Sequence, residues 1–117
     1  MTADPERAGA LARAFGLLGK RWNGVILGCL ADGSLGYSAL RRAVGVSDSV
    51  LAARLAELAA AGVVARDVDA GPPVSVRYSL TASGQALVPG LRELSRWAKA
   101  YLPDPGREVS DESRPSP

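Results

Sequence analysis

Between positions 46 and 58 leucines recur at 51, 55 and 58, with small or polar residues filling most places between them. At 100° per residue these leucines share one side of a helix, and Ser49, Ala52, Ala53, Ala56 and Ala60 take the opposite side. Ser47 stands at the N-cap position, and Gly62 fits the C-cap. Upstream, a brief helix capped by Ser38 runs to Val44 with Leu40 inward, and Gly45 makes the turn. Downstream, residues 63–68 and 74–80 alternate like strands, joined by the loop Asp69-Ala70-Gly71-Pro72-Pro73. On the second strand Val74, Val76, Tyr78 and Leu80 share one face, and Ser75, Arg77 and Ser79 share the other. Helix, turn, longer helix and two-stranded hairpin over residues 37–80 form the unit that organises the chain.

The flanks read as support for that unit. Asp4 is an N-cap with Pro5 at the first helical position, and a helix follows to about Leu18. Its stripe is Leu11, Ala14, Phe15 and Leu18, and Gly19 ends it. Lys20-Arg21-Trp22 opens a second helix, in which Trp22, Val25, Ile26, Cys29 and Leu30 recur at helical spacing. Asp32-Gly33 signals a turn, and Leu35-Gly36-Tyr37 a short strand. Thr81 caps a last helix to about Leu102, which Pro89-Gly90 should kink or split. Leu87, Leu91, Leu94, Ala98 and Tyr101 line this helix, widened by Trp97 and Leu102. A stripe so broad covers the domain's own core and leaves surface for another subunit. The fold class is mainly α with a small β-hairpin wing (α+β), a winged helix-turn-helix. Residues 1–103 form one folded domain, and 104–117, rich in proline and charge, a disordered tail.

Composition narrows the function. Hydrophobic residues at 47% suffice for a packed core in 117 residues. No histidine and a single cysteine exclude a disulfide framework, a multi-ligand Cys/His metal site and a histidine-dependent triad within one chain. No stretch approaches the roughly 18 apolar residues of a membrane span. The acidic start, Asp4-Pro5-Glu6, is unlike a secretory signal. These features point to a cytoplasmic protein that is not an enzyme, needs no cofactor and has no membrane partner. Net charge is +2, but in the tail Asp104, Glu108, Asp111 and Glu112 outnumber Arg107 and Arg114. The body is therefore more basic than the whole, a bias compatible with a polyanion.

A helix that opens on short polar groups and is propped by a preceding helix suits a DNA groove. Its serine and alanine face permits close approach, and alanine can touch a thymine methyl. The same face also fits a solvated side built of good helix formers. Ser47, Asp48, Ser49, Ala52 and Ala53 lie at the end that meets base edges, with Arg54 on the flank able to reach guanine or phosphate. Asp48 is repelled by phosphate, so it either complements the helix dipole or accepts from a cytosine amino group. Lys20, Arg41, Arg42 and Arg77 are the candidate phosphate ligands, with Arg21 and Arg66 also available. Each alone fits a solvated charge, and it is their concentration around the helix pair that points to DNA. Cys29, between apolar neighbours, reads as a buried, unreactive thiol. Trp22, Trp97 and Tyr101 read as core or interface aromatics, with an apolar effector pocket between subunits as the alternative.

Residues 10–102 resemble the HxlR-type winged-helix transcription regulators, which are related in architecture to the MarR group. Leu17-Leu18-Gly19-Lys20-Arg21-Trp22 is similar to that family's Gly-Lys-Trp segment, and Leu40-Arg41-Arg42 to its Glu-Leu-Arg-Arg segment. Val46-Ser47, Leu51, Leu55, Leu58 and Gly62-Val63-Val64 resemble its recognition helix and exit. Pro72-Pro73, the run Val76-Arg77-Tyr78-Ser79-Leu80-Thr81 and Gly84 are similar to its wing and the start of its last helix. Pro89 and Trp97 also fall where that family places them. The resemblance implies a dimeric DNA-binding regulator, joined through its first and last helices. With the residues above, the reading is a homodimeric repressor on a pseudo-palindromic operator, whose DNA-binding and dimerisation domain is residues 1–103. Leu11, Phe15, Leu91, Leu94, Trp97 and Tyr101 are the candidate dimer contacts. Thiol-sensing members carry a cysteine 13 residues before the tryptophan, where this chain has Gly9 before Trp22, so that route is not implied. The family often has Lys, Arg or Gln where Ser49, Ala53 and Ala56 stand, and a basic wing residue where Val74-Ser75 follow the prolines. Two rival readings remain: a winged helix that docks another protein through its alanine face, and a regulator whose small-molecule effector sits between subunits.

Overall fold

A computed structural model of the protein describes residues 4–105. The expected tail lies outside them from residue 106 onward. Asp4 accepts from the N–H groups of Glu6 and Arg7, and α1 (Pro5–Leu18) starts at the proline. No residue of α1 is buried, and Leu11 and Phe15 stand in the open. Only Leu17 and Leu18, at its end, pack partly on the core.

The second helix begins later than its sequence suggests. Trp22 has φ 85°, a left-handed backbone rare for a bulky residue, and α2 (Asn23–Cys29) starts just after it. Lys20 and Arg21 belong to the turn. The inward stripe is therefore Asn23, Ile26, Leu27 and Leu30. Val25, expected inward, is exposed, and Trp22 and Cys29 are half-buried. β1 (Leu35–Gly36) is only two residues long, because Tyr37 already belongs to α3 (Tyr37–Val44). Gly36, not Ser38, occupies the N-cap, with no side-chain cap hydrogen bond. Gly45 takes φ 79° and returns its N–H to Arg41 O at 2.8 Å, which ends α3 where the turn was expected.

Ser47 caps α4 (Asp48–Ala60) by accepting from Val50 N. Leu51, Leu55 and Leu58 are all buried, as the periodicity predicts. Ala61 is the C-cap, and Gly62, one residue further, holds the left-handed φ of 80°. β2 (Val64–Asp69) and β3 (Ser75–Leu80) pair antiparallel, with Val64 opposite Leu80 and Asp69 opposite Ser75. β1 joins the other edge of β3, so the expected hairpin is part of a three-stranded sheet of order β1-β3-β2. Tyr78 is buried and Val76 and Leu80 pack partly on the core, whereas Val74 lies before the strand and is exposed.

Thr81 begins α5 (Ala82–Tyr101) and connects two helix ends. Its hydroxyl accepts from Gly84 N at 3.2 Å and donates to Gly62 O at 2.7 Å. Pro89 lies inside α5 without splitting it. The core joins α2, α3 and α4 through Ile26, Leu27, Leu30, Leu40, Leu51, Leu55 and Leu58. Each such side chain stabilises the fold by about 1.5–3 kcal/mol through removal from water. Leu87 and Leu91 extend that core, and beyond them Leu94, Trp97, Tyr101 and Leu102 are exposed. The architecture is mainly helical with a small antiparallel sheet, and α3, its turn and α4 sit where the pattern places them.

Candidate nucleic-acid interface

Burying the leucines of α4 turns Ser49, Ala52, Ala53 and Ala56 outward, and all four are exposed. Ser47 and Asp48 stand at the start of this face. Asp48 is engaged within the chain: Arg41 Nε lies 3.2 Å from its Oδ1, and the Tyr37 hydroxyl donates to its backbone and side-chain oxygens at 3.2 and 3.4 Å. The Tyr37 phenol is pushed above its ordinary range, first by desolvation and then by the Asp48 charge. It therefore keeps the proton it donates. This cluster sets α3 against the first turn of α4. It is open to water, so the ion pair itself contributes about 0–1 kcal/mol.

Arg77 on β3 is also committed. Its Nε and one terminal nitrogen donate to Ser34 Oγ, and that nitrogen also donates to Ser34 O at 3.0 Å. The wing strand is thereby tied to the segment before β1. Among the described residues, the side chains of Arg42 at the end of α3 and Arg66 on β2 make no hydrogen bond or ion pair.

A third group centres on Glu57, which the sequence reading passed over. Lys20 Nζ lies 3.1 Å from its Oε2 and Arg54 3.5 Å from its Oε1. Asn23 Nδ2 donates to the same Oε1 at 3.2 Å and to Leu17 O at 2.8 Å. Asn23 is fully buried. The hydrogen bond from Asn23, then the one from Lys20, holds the Glu57 carboxyl below the usual carboxylate range. One signal was available, since Arg54 and Glu57 are three apart on one helix and must be neighbours. Asn23 gave none, being a polar residue hidden in an apolar stripe.

Beside this group, Arg21, Trp22, Ser49, Val50, Ala53 and Arg54 line an open concavity of about 340 Å³. The Arg21 guanidinium sits 4.6 Å from the centre of the Trp22 ring, a cation–π contact. The turn before α2 and the flank of α4 thus make one basic surface. The structure brings Lys20, Ser49, Ala53 and Arg54 together there. It places Arg41, Ser47 and Asp48 at the helix start, Ala52 on the outer face, Arg42 on α3 and Arg77 on the wing.

Of the candidate dimer contacts, Leu11, Phe15, Leu94, Trp97 and Tyr101 are exposed, and the Trp97 and Tyr101 rings lie 6.4 Å apart. Leu91 is half-buried against the protein's own core. Cys29 is half-buried too, and burial pushes its thiol above the ordinary value. Among the described residues no cluster of acids and cysteine has the makings of a metal site, and no helix is long and apolar enough to cross a membrane.

Residues 17–105 match the family model described as HxlR-like helix-turn-helix. The uncharacterized HTH-type transcriptional regulator YvaP of Bacillus subtilis (strain 168) is 44% identical over 91 residues, 77% of this chain and 84% of that protein. The HTH-type transcriptional regulator YodB of the same organism is 39% identical over 102 residues, 86% of this chain and 90% of that protein. The solved reduced form of YodB superimposes with a TM-score of 0.72 at 36% identity, covering 86% of this chain and 96% of that one.

Proposed function

The chain belongs to the HxlR-like helix-turn-helix family, a family of DNA-binding transcription regulators, and we propose that it acts as a homodimeric repressor on a pseudo-palindromic operator. The observation that carries this reading is the exposed face of α4, bare enough to enter a major groove, with Arg41 of α3 at its start and Lys20 and Arg21 of the preceding turn along its flank. Ser47, Ser49, Ala52 and Ala53 meet base edges, and Ala53 and Ala52 suit thymine methyls. Asp48 holds Arg41 and Tyr37 in place of a base. With so few polar readers, much of the discrimination comes from the shape and stiffness of the DNA.

Residues 1–103 carry both DNA binding and dimerisation, and 104–117 form a tail outside them. Leu11 and Phe15 of α1 and Leu94, Trp97 and Tyr101 of α5 supply the dimer face. The protein works in the cytoplasm, where its DNA is, and non-catalytically.

Arg42 tests the electrostatic part, because its alanine variant disturbs no internal partner. Arg42→Ala should weaken a preferred duplex and a random one alike, and lower the salt slope of log Kd by about 1. Fluorescence anisotropy over a salt series measures both. Weakening confined to the preferred duplex would instead make Arg42 a base reader.

A further inference from the structure

Arg54 is the only long basic side chain on α4, since the rest of the helix is Asp48, Glu57, Ser49 and apolar residues. It lines the concavity beside the reading face, so it alone can offer several hydrogen bonds from that helix to a base edge. One of its nitrogens is taken by Glu57, and the remainder of the fork stays available. Glu57 is itself fixed from behind, because Asn23 is clamped between Glu57 and the Leu17 carbonyl and is fully buried. Asn23 cannot shift without opening the core, so the chain of contacts ends on something rigid.

We propose that Glu57 is a positioning residue that sets DNA sequence specificity by holding Arg54 in one orientation against the reading face. The inference rests on the DNA-binding reading above. Two effects follow from the same carboxylate. A guanidinium already ordered loses less freedom when it meets the matching site, so the preferred duplex gains. The negative charge, shared between Lys20 and Arg54, weakens their attraction to phosphates of any sequence, so it lowers the affinity for both duplexes and leaves the ratio to the ordering of Arg54.

Glu57→Gln tests this, because the amide oxygen still accepts from Asn23 and the shape is kept. Wild type, Glu57→Gln, Arg54→Ala and the double variant are titrated by anisotropy on two duplexes. One is selected by the wild type from a randomised library, and the other is its scrambled counterpart. Glu57→Gln should bind the scrambled duplex about threefold more tightly at low salt and lower the selected-to-scrambled ratio about tenfold. In the Arg54→Ala background the same change should leave the ratio where Arg54→Ala alone put it. Arg54→Lys, which keeps the charge and the aliphatic stem at this partly buried position but loses the planar fork, should lower the ratio as well. A ratio unchanged by Glu57→Gln, or lowered equally with and without Arg54, would overturn the proposal. A wild type that selects no preferred duplex would overturn the DNA reading itself, and this inference with it.

Discussion

Gly84→Ala should destabilise the protein by about 3 kcal/mol, enough to leave a substantial unfolded population in a domain of ordinary stability. Gly84 is buried in the first turn of α5, where the helix crosses the end of the sheet. A methyl group there would lie 2.3 Å from the Val63 carbonyl oxygen and 3.2 Å from two Leu80 carbons. The carbonyl is backbone and cannot rotate away. Relief requires α5 to lift, which would strain the Thr81 contacts with Gly62 and Gly84 and the Thr81 N–H bond to Val63. Gly90→Ala is the matched control, since its methyl group would meet only Leu87 at 3.9 Å. That change should stabilise the helix by roughly 0.5–1 kcal/mol. Urea titration followed by circular dichroism reads both as opposite shifts in midpoint. A Gly84→Ala midpoint at or above wild type would mean that α5 is not seated on the sheet as described.

Replacing Leu94 and Trp97 together by glutamine should convert the proposed dimer to a monomer. Both side chains are exposed in the single chain, at 44% and 52%, so the protomer's own core does not depend on them. Water already reaches them, and a second copy is what would remove it. Leu11 and Phe15, open on a helix with no buried residue, supply the other half of the face. Loss of the pair should lower affinity for a two-fold operator by about 10²-fold or more, because each half-site is then bound separately. Light scattering at micromolar concentration gives the mass directly. A wild type already monomeric there would remove the dimer face and the two-fold operator together.

The sequence revealed most where one period dominates. Leu51, Leu55 and Leu58 placed α4, and Ser47, Gly45 and Thr81 marked their caps and turn because those positions need specific backbone chemistry. It misled where a tertiary contact overrides local pattern. Trp22 looked like the first apolar residue of a helix, but its left-handed backbone moves the start to Asn23 and turns Val25 outward. Pro89-Gly90 was expected to kink or split the last helix, and α5 runs through Pro89 unsplit. β1 was legible as a short strand, but its pairing with β3 is non-local and left no mark in its residues. The candidate site divides in the same way. Outward-facing residues of α4 follow from helical arithmetic. The engagement of Asp48 by Arg41 and Tyr37, of Arg77 by Ser34, and of Lys20 and Arg54 by Glu57 depends on which elements meet. Residues read as free cations are therefore in several cases already paired.

The most direct measurement of DNA reading by α4 is equilibrium binding to a library-selected duplex against random duplex at physiological salt. The selected duplex should bind about 10³-fold more tightly, and its protected half-sites should lie about one helical turn apart. Equal affinity for the two duplexes would contradict the account and turn attention to the bare alanine face as a seat for another protein.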